Sequence, residues 1–368
     1  MLRRMYADNF RCLVNFELEL DPVTLLVGEN GSGKTTVFDL LYRLQRFIVG
    51  DARAAELFRN ADLTSWQTNA VQRFEVDLEI GQDAYRYALA IEHDEARRWT
   101  RVSSETLTLG QKNLLEFRDG TAQLYHDDFS EGPRIPFDVP QSALSMLRSG
   151  PDDRKLDLFR KELQKLIIVR LNPGLMIPES RKEEPTLDSI GGNFVNWYRF
   201  LWQEHTSGML ATFPALQRVL PGFRACNLKE AGEARVMKVL FERPGKGGRD
   251  IPYDFEDLSD GQRVLIVLYT MLYGLKDEGP SLFIDEPDNF VALREIQPWL
   301  TALTDSVGEG IEQAVLISHH PEIINYLGAS SGRWFERESN APARVSDKPK
   351  AAAEGLTLAE TIARGWEK

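Results

Sequence analysis

Between residues 14 and 20 the apolar side chains Val14, Phe16, Leu18 and Leu20 alternate with Asn15, Glu17 and Glu19, the period of two that a half-buried strand requires. Residues 23–27 form a second, more apolar strand that runs into a glycine-rich turn over 28–33. The period then changes. From Thr35 to Phe47 the apolar residues Val37, Leu40, Leu41 and Leu44 share one helical face. Between Phe74 and Glu116, short alternating runs broken by Gly81 and Gly110 predict an antiparallel sheet. The proline-rich stretch 132–140 reads as a boundary, 141–166 as helix, and 167–171 as a buried strand. Phe194, Trp197, Tyr198, Leu201 and Trp202 recur at helical spacing within 193–220, a stripe better read as core than as a ligand box. Strands return from Lys238, and beyond Gly332 the sequence turns polar, with Pro342, Pro349 and an alanine run, the text of a tail with mobile parts. No internal repeat is visible.

The chain has 368 residues, 42% apolar and 27% charged, ordinary proportions for a folded globular protein. Its formal net charge of -12 and pI of about 5.1 set an overall field that repels phosphate backbones and anionic membranes, so any nucleic-acid contact has to be local. Arg97, Arg98 and Arg101, and again Arg243, Lys246 and Arg249, are the local basic clusters; a solvated face is the simpler reading of both. Cys12 and Cys226 have neither paired spacing nor a nearby histidine, which points away from a disulfide framework or a zinc site. No apolar run is long enough to span a membrane, and the N-terminus lacks a signal-peptide core. A cytoplasmic protein is expected.

Three segments carry chemistry. Gly28-Glu29-Asn30-Gly31-Ser32-Gly33-Lys34-Thr35 matches the P-loop pattern between an expected strand and an expected helix, the context this motif needs. Its backbone amides and the helix N-terminus suit phosphate. Lys34 is expected to reach the β and γ phosphates of ATP, the Thr35 hydroxyl to ligate Mg²⁺, and Asn30, Gly31, Ser32, Gly33 and Thr36 to complete the nucleotide cradle. Residues 281–286 form an apolar strand that ends in two carboxylates, with Asp285 placed to support Mg²⁺ and Glu286 to orient the attacking water. Residues 258–263, Leu-Ser-Asp-Gly-Gln-Arg, open a further apolar helix; Ser259 suits an N-cap, and Gly261 suits close approach of backbone to phosphate.

The last of these resembles the signature motif of the ABC ATPase superfamily, with Asp260 where many members have glycine. The resemblance implies that Ser259, Gly261 and Gln262 act in trans on ATP held by the P-loop of a second copy, so that ATP binding brings a homodimer. Residues 315–321 resemble the switch-histidine segment, which assigns the γ-phosphate contact to His319 and a secondary place to His320; a metal-binding pair is the competing reading. Asp288 and Asn289 stand at the position of the D-loop, and so are candidates for contacts between subunits. The strand over 167–171 should lead into a glutamine, but the sequence there is Arg170-Leu171-Asn172-Pro173, and Asn172 is the candidate substitute. Asn9-Phe10-Arg11 resembles the opening of RecF and SMC-like ATPases, where the arginine lies near the nucleotide; Arg11 as a partner of a surface carboxylate fits equally well.

About 225 residues separate the P-loop from the signature, roughly twice the spacing of a transporter ATPase, and no heptads mark an SMC coiled coil. Overall the chain is similar to stand-alone ATPases related to RecF, to OLD proteins and to AbiEii-type ATPases, including Gly191-Gly192-Asn193 and the stretch 356–366; unlike in OLD proteins, no nuclease domain is expected after His320. The expected fold is α/β: an ABC ATPase head whose P-loop mixed sheet is joined by an antiparallel β subdomain and a helical lobe. The expected divisions are an ATP-binding lobe over 1–131, a helical lobe over 132–237, the signature-bearing part over 238–335 and a tail over 336–368. The resemblance implies an ATP-hydrolysing switch, with catalytic roles for Lys34, Glu286 and His319, that controls a separately encoded effector, a nuclease or toxin, in antiphage defence or a toxin-antitoxin system. A RecF-like repair ATPase that binds DNA and an ATP-binding scaffold without turnover are the alternatives.

Overall fold

The computed structural model describes residues 1–50, 52–137, 140–147, 150, 152–245, 249–347 and 357–363, so that Lys246, and residues 356 and 364–366 of the stretch 356–366, lie outside the described residues. The chain divides into two compact units. One comprises Met1–Asp21, Leu26–Leu166 and Gly332–Pro349; the other comprises Pro22–Leu25, Ile167–Ser331 and Lys350–Lys368.

In the first unit, β1 (Leu2–Asp8) and β2 (Phe16–Glu19) pair antiparallel, and β3 (Val23–Gly28) leads into α1 (Lys34–Val49) and the short α2 (Ala54–Leu57). There follow β4 (Val71–Ile80), β5 (Asp83–Asp94), β6 (Trp99–Leu109), β7 (Lys112–Arg118), β8 (Thr121–Tyr125) and β9 (Glu131–Pro136). Together they form an eight-stranded antiparallel sheet in the order β2-β1-β4-β5-β6-β7-β8-β9. The expected alternation at 74–80 is realised in β4, where Phe74, Val76 and Leu78 are buried. Helix α1 buries Val37, Leu40, Leu41 and Leu44, the face its periodicity predicts, and adds Phe38, Phe47 and Ile48. Phe47 meets Phe58 edge-on at 5.5 Å, and Phe58 stacks on Phe74 at 5.2 Å, so an aromatic column ties the helix behind the P-loop to the sheet.

Two expectations change in this unit. The proline-rich stretch is no boundary over its first part, because Glu131–Pro136 pairs with β8 as the edge strand. Pro133 and Pro136 lack an N–H to donate, and an edge strand is where a sheet tolerates that. The expected single helix over 141–166 is two, α3 (Ala143–Met146) and α4 (Arg154–Gln164).

The second unit contains β10 (Leu166–Val169, from Ile167 on), β11 (Glu179–Ser180), α5 (Phe194–Glu204), α6 (Thr206–Val219), β12 (Phe223–Ala231), β13 (Ala234–Phe241), β14 (Ile251–Asp254), α7 (Asp260–Gly274), β15 (Ser281–Asp285), α8 (Leu293–Ser306), β16 (Gln313–Ile317) and α9 (Pro321–Ser331). Strands β15 and β16 pair in parallel and are buried at every position, with the apolar runs 282–284 and 314–317 at their centre. They lie between β10 and the opening residues of β3 in the order β10-β15-β16-β3. A smaller sheet has β13 at its centre, with β12 on one side and β11 and β14 on the other. The aromatic stripe of α5 is core: Phe194, Trp197, Tyr198 and Leu201 are buried, and the Tyr198 hydroxyl donates to the Cys226 carbonyl at 3.0 Å.

The polar stretch after Gly332 is structured over 332–347. It forms β17 (Gly332–Glu336) and β18 (Arg344–Ser346), an antiparallel pair of the first unit that follows the closing residues of β3. Burial of Trp334 and Phe335, the latter 5.6 Å from Phe16, explains why this stretch folds despite its polar neighbours. A last helix, α10 (Leu358–Ala363), begins with Ala359 donating its N–H to the Asn325 side chain.

Candidate functional site

In the first unit the P-loop joins β3 to α1. Gly33, the N-cap of α1, has φ of 111° and no side-chain cap, and a Cβ there would stand 3.1 Å from both Ala343 Cβ and Cys12 Sγ. Glycine is required on both counts. The uncapped helix start is the place where backbone N–H groups are available to an anion. Asn30, Gly31 and Thr35 are exposed, Ser32 and Lys34 are buried, and Thr36 is half-buried. Lys34 curls into the loop that precedes it: its ammonium donates to the carbonyls of Gly28 at 2.7 Å and Glu29 at 2.9 Å, and to Ser32 Oγ at 3.4 Å. The cation is thus stored inside the loop.

Arg11 sits in the left-handed region at φ 48° and anchors a four-charge cluster at the side of α1. Its guanidinium meets Asp39 at 2.7 Å and Asp62 at 2.8 Å, and Arg43 meets the same two carboxylates at 3.0 and 2.7 Å. Burial would raise the pKa of Asp62, but the hydrogen bonds and charges of Arg11 and Arg43 outweigh it and hold the carboxyl below its ordinary value. Carboxylate pairing, one of the two readings of Arg11, is therefore present. Sequence reasoning missed Arg337 of the same unit, which donates to the Gly31 carbonyl at 3.1 Å and lies over the exposed Trp66 ring. No local pattern marks it, because it reaches the P-loop from 306 residues away along the chain.

In the second unit, Asp285 closes β15 and is buried, whereas Glu286 turns out of the strand at φ 54°. Its N–H donates to the carbonyl of Ile317 at the end of β16, 2.8 Å away. Its carboxylate Oε2 accepts from Arg170 Nη2 and from Asn289 Nδ2, each at 2.7 Å. Asp288 accepts from the Ser318 hydroxyl at 2.6 Å, and Ser318 Oγ in turn accepts from the His320 N–H at 2.9 Å. His320 Nδ1 accepts from the Glu322 N–H at the start of α9, while His319 is exposed. Both D-loop candidates, Asp288 and Asn289, are therefore engaged within the chain.

The signature residues have a local explanation as well. Ser259 and Gln262 form a reciprocal capping box at the start of α7: Ser259 Oγ accepts from the Gln262 N–H at 3.3 Å, and Gln262 Oε1 accepts from the Ser259 N–H at 3.1 Å. Gly261 is crowded by the carbonyl of Phe290. A helix cap and one close contact thus account for all three residues within the subunit.

Asn172 Oδ1 accepts from the Gly174 N–H at 3.1 Å and caps a short turn; Arg170, two residues earlier, is the residue that reaches the carboxylate of Glu286. Arg97 and Arg101 pair with Asp94 and Glu92 on their own hairpin. Among the described residues no group of three or more His, Cys, Asp or Glu could hold a metal ion, and no helix is long and apolar enough to cross a membrane.

Residues 1–118 match the family model described as an AAA ATPase domain. A segment of 37 residues is 54% identical to the OLD nuclease of Thermus scotoductus, a match that spans 10% of this chain and 7% of that protein. Among solved structures, an SMC head bound to the C-terminal winged-helix domain of ScpA superposes with a TM-score of 0.58 at 12% identity, covering 98% of this chain and 99% of that one. An SMC head with an extended coiled coil bound to the C-terminal domain of ScpA, from Pyrococcus furiosus, gives 0.57 at 11% identity over 100% of this chain and 99% of that one. The SMC head domain of Thermotoga maritima gives 0.50 at 12% identity over 94% and 98%. The chain thus carries an N-terminal region that matches an AAA ATPase domain, and its fold is that of SMC heads.

Proposed function

We propose that the protein binds ATP with Mg²⁺, hydrolyses it, and uses the cycle as a switch. The observation that carries this reading is the P-loop itself, a complete phosphate-binding sequence at an uncapped helix start with its lysine stored in the loop. Lys34 exchanges loop carbonyls for phosphate oxygens when nucleotide enters, and Asn30, Gly31, Ser32, Gly33 and Thr36 complete the cradle. Thr35 and Asp285 would hold Mg²⁺; both offer oxygen, the donor that this ion prefers. The ion, when bound, neutralises charge on the phosphates. Glu286 orients the attacking water, His319 contacts the γ-phosphate, and Arg11 lies near the nucleotide.

Ser259, Gly261 and Gln262 act on ATP held by a second copy, so that ATP favours a homodimer. The dimer's assembly controls a separately encoded effector, a nuclease or toxin in antiphage defence or a toxin-antitoxin system. Support for a protein partner comes from solved heads of this fold, which are bound to domains of ScpA. Glu286→Gln tests the core of the proposal. Turnover should fall by about a hundredfold or more, and an ATP-bound dimer should accumulate in size-exclusion chromatography. An unchanged rate would reduce the protein to an ATP-binding scaffold.

A further inference from the structure

The second unit holds a contact that the motif pattern does not contain. Resting on the ATP hydrolysis proposed above, we infer that Arg170 is a positioning residue for Glu286, filling the place after β10 where the pattern calls for glutamine.

Glu286 is fixed first through its backbone, by its left-handed φ and by the N–H that donates to Ile317. The side chain is then gripped at one oxygen. Arg170 Nη2 and Asn289 Nδ2 both donate to Oε2 at 2.7 Å. A carboxylate offers about four lone-pair positions. Two donors on Oε2 fix the plane of the group and leave the lone pairs of Oε1 for water. Neither donor is loosely rooted: the Arg170 N–H donates to the Ser189 carbonyl at 2.7 Å, and the Asn289 N–H donates to the Glu286 carbonyl at 3.1 Å. Arg170 also directly follows β10, which lies beside β15, the strand that carries Asp285.

As an aid to folding the pair is worth little, because the Arg170 side chain is 57% exposed and such ion pairs are screened. Its value lies in orientation. In a loose phosphoryl-transfer transition state the water is directed more than it is deprotonated, so a cation beside Glu286 costs little and a wandering carboxylate costs more. The opposite reading, a lock that holds Glu286 out of action, predicts the opposite sign for removal of Arg170.

The test uses the full chain as R170A, R170K, E286Q and R170A/E286Q, with kcat, affinity for a fluorescent ATP analogue, and melting temperature without nucleotide. R170A should lower kcat about tenfold with nucleotide affinity within about twofold. R170K should recover part of the loss, since lysine supplies a single point contact. In the E286Q background R170A should add no further loss in kcat, which reports that Arg170 acts through Glu286, while the four melting temperatures should stay close together. An R170A kcat that is unchanged or raised, an affinity loss as large as the kcat loss, or losses that multiply in the double variant would overturn the inference. A wild-type chain without ATP turnover would overturn the hydrolase reading along with it, whereas turnover abolished by E286Q and spared by R170A overturns the inference alone.

Discussion

A Cβ placed on Gly261 would stand 2.5 Å from the carbonyl oxygen of Phe290, closer than any side chain tolerates. The start of the signature helix and the loop after Glu286 are therefore in backbone contact within one chain. Phe290 is itself in the left-handed region, at φ 71°, and is 54% exposed, so this loop is held in a strained shape. Gly261→Ala should displace it and cost about 1–3 kcal/mol. The check is a lower melting temperature in the nucleotide-free monomer. If the substitution harms only ATP-induced dimerisation and leaves that temperature untouched, the contact within the subunit is not what the glycine serves.

Lys34 gives a second effect that is independent of nucleotide. Its ammonium binds three oxygens of the loop, and hydrogen bonds to a charged group contribute roughly 1.5–3 kcal/mol. Lys34→Ala should weaken ATP binding at least tenfold, by about 1.4 kcal/mol. It should also lower the unfolding free energy of the protein without nucleotide. Denaturant titration checks the second outcome. Equal stabilities of the two proteins would mean that the lysine is not seated in the empty loop.

How far the sequence disclosed this architecture depends on the range of the forces involved. The P-loop and α1 were legible because strand, turn and helix periodicity are local, and the face of Val37, Leu40, Leu41 and Leu44 is indeed buried. The alternating runs from Phe74 likewise become antiparallel strands. Arg170 and Arg337 were not legible, since each acquires its meaning from a partner more than 100 residues away. Prolines misled at β9, where edge position removes their usual penalty. Trp334 and Phe335 were overlooked because a short buried strand inside polar text leaves only a faint periodic signal.

Asp62 makes the P-loop flank sensitive to acid. Its folded-state pKa is depressed, so its contribution is present above the unfolded value of 3.8 and is lost as pH falls through the lower folded value. Asp62→Ala would leave Arg43, whose side chain is 11% exposed, without one of its two carboxylates. Breaking a buried pair on one side costs about 3–5 kcal/mol. The variant should therefore unfold at lower denaturant at pH 7, and the gap from wild type should narrow below pH 3.8. A gap that stays constant down to pH 2 would rule out the carboxylate's charge as its source.

Glu105 on β6 works in the opposite direction. It is fully buried and faces neutral donors: the Tyr87 hydroxyl at 2.9 Å, the Ser142 hydroxyl at 2.5 Å and the Ala143 N–H at 2.7 Å. Burial raises its pKa, and the bonds from Ser142, Tyr87, Ala143 and Leu144 recover only part of the shift. An acid whose folded value is raised stabilises most below its unfolded value of 4.5, and that advantage is lost as pH rises through the raised folded value. Across pH 5 to 8 the unfolding free energy of wild type should therefore decline relative to Glu105→Gln, which cannot titrate. Glu105→Ala strands three buried donors and should cost roughly 3 kcal/mol or more at any pH in that range. The two variants separate charge from hydrogen bonding: parallel pH profiles for wild type and Glu105→Gln would show that the carboxyl is not held above its ordinary value, whatever the alanine variant loses.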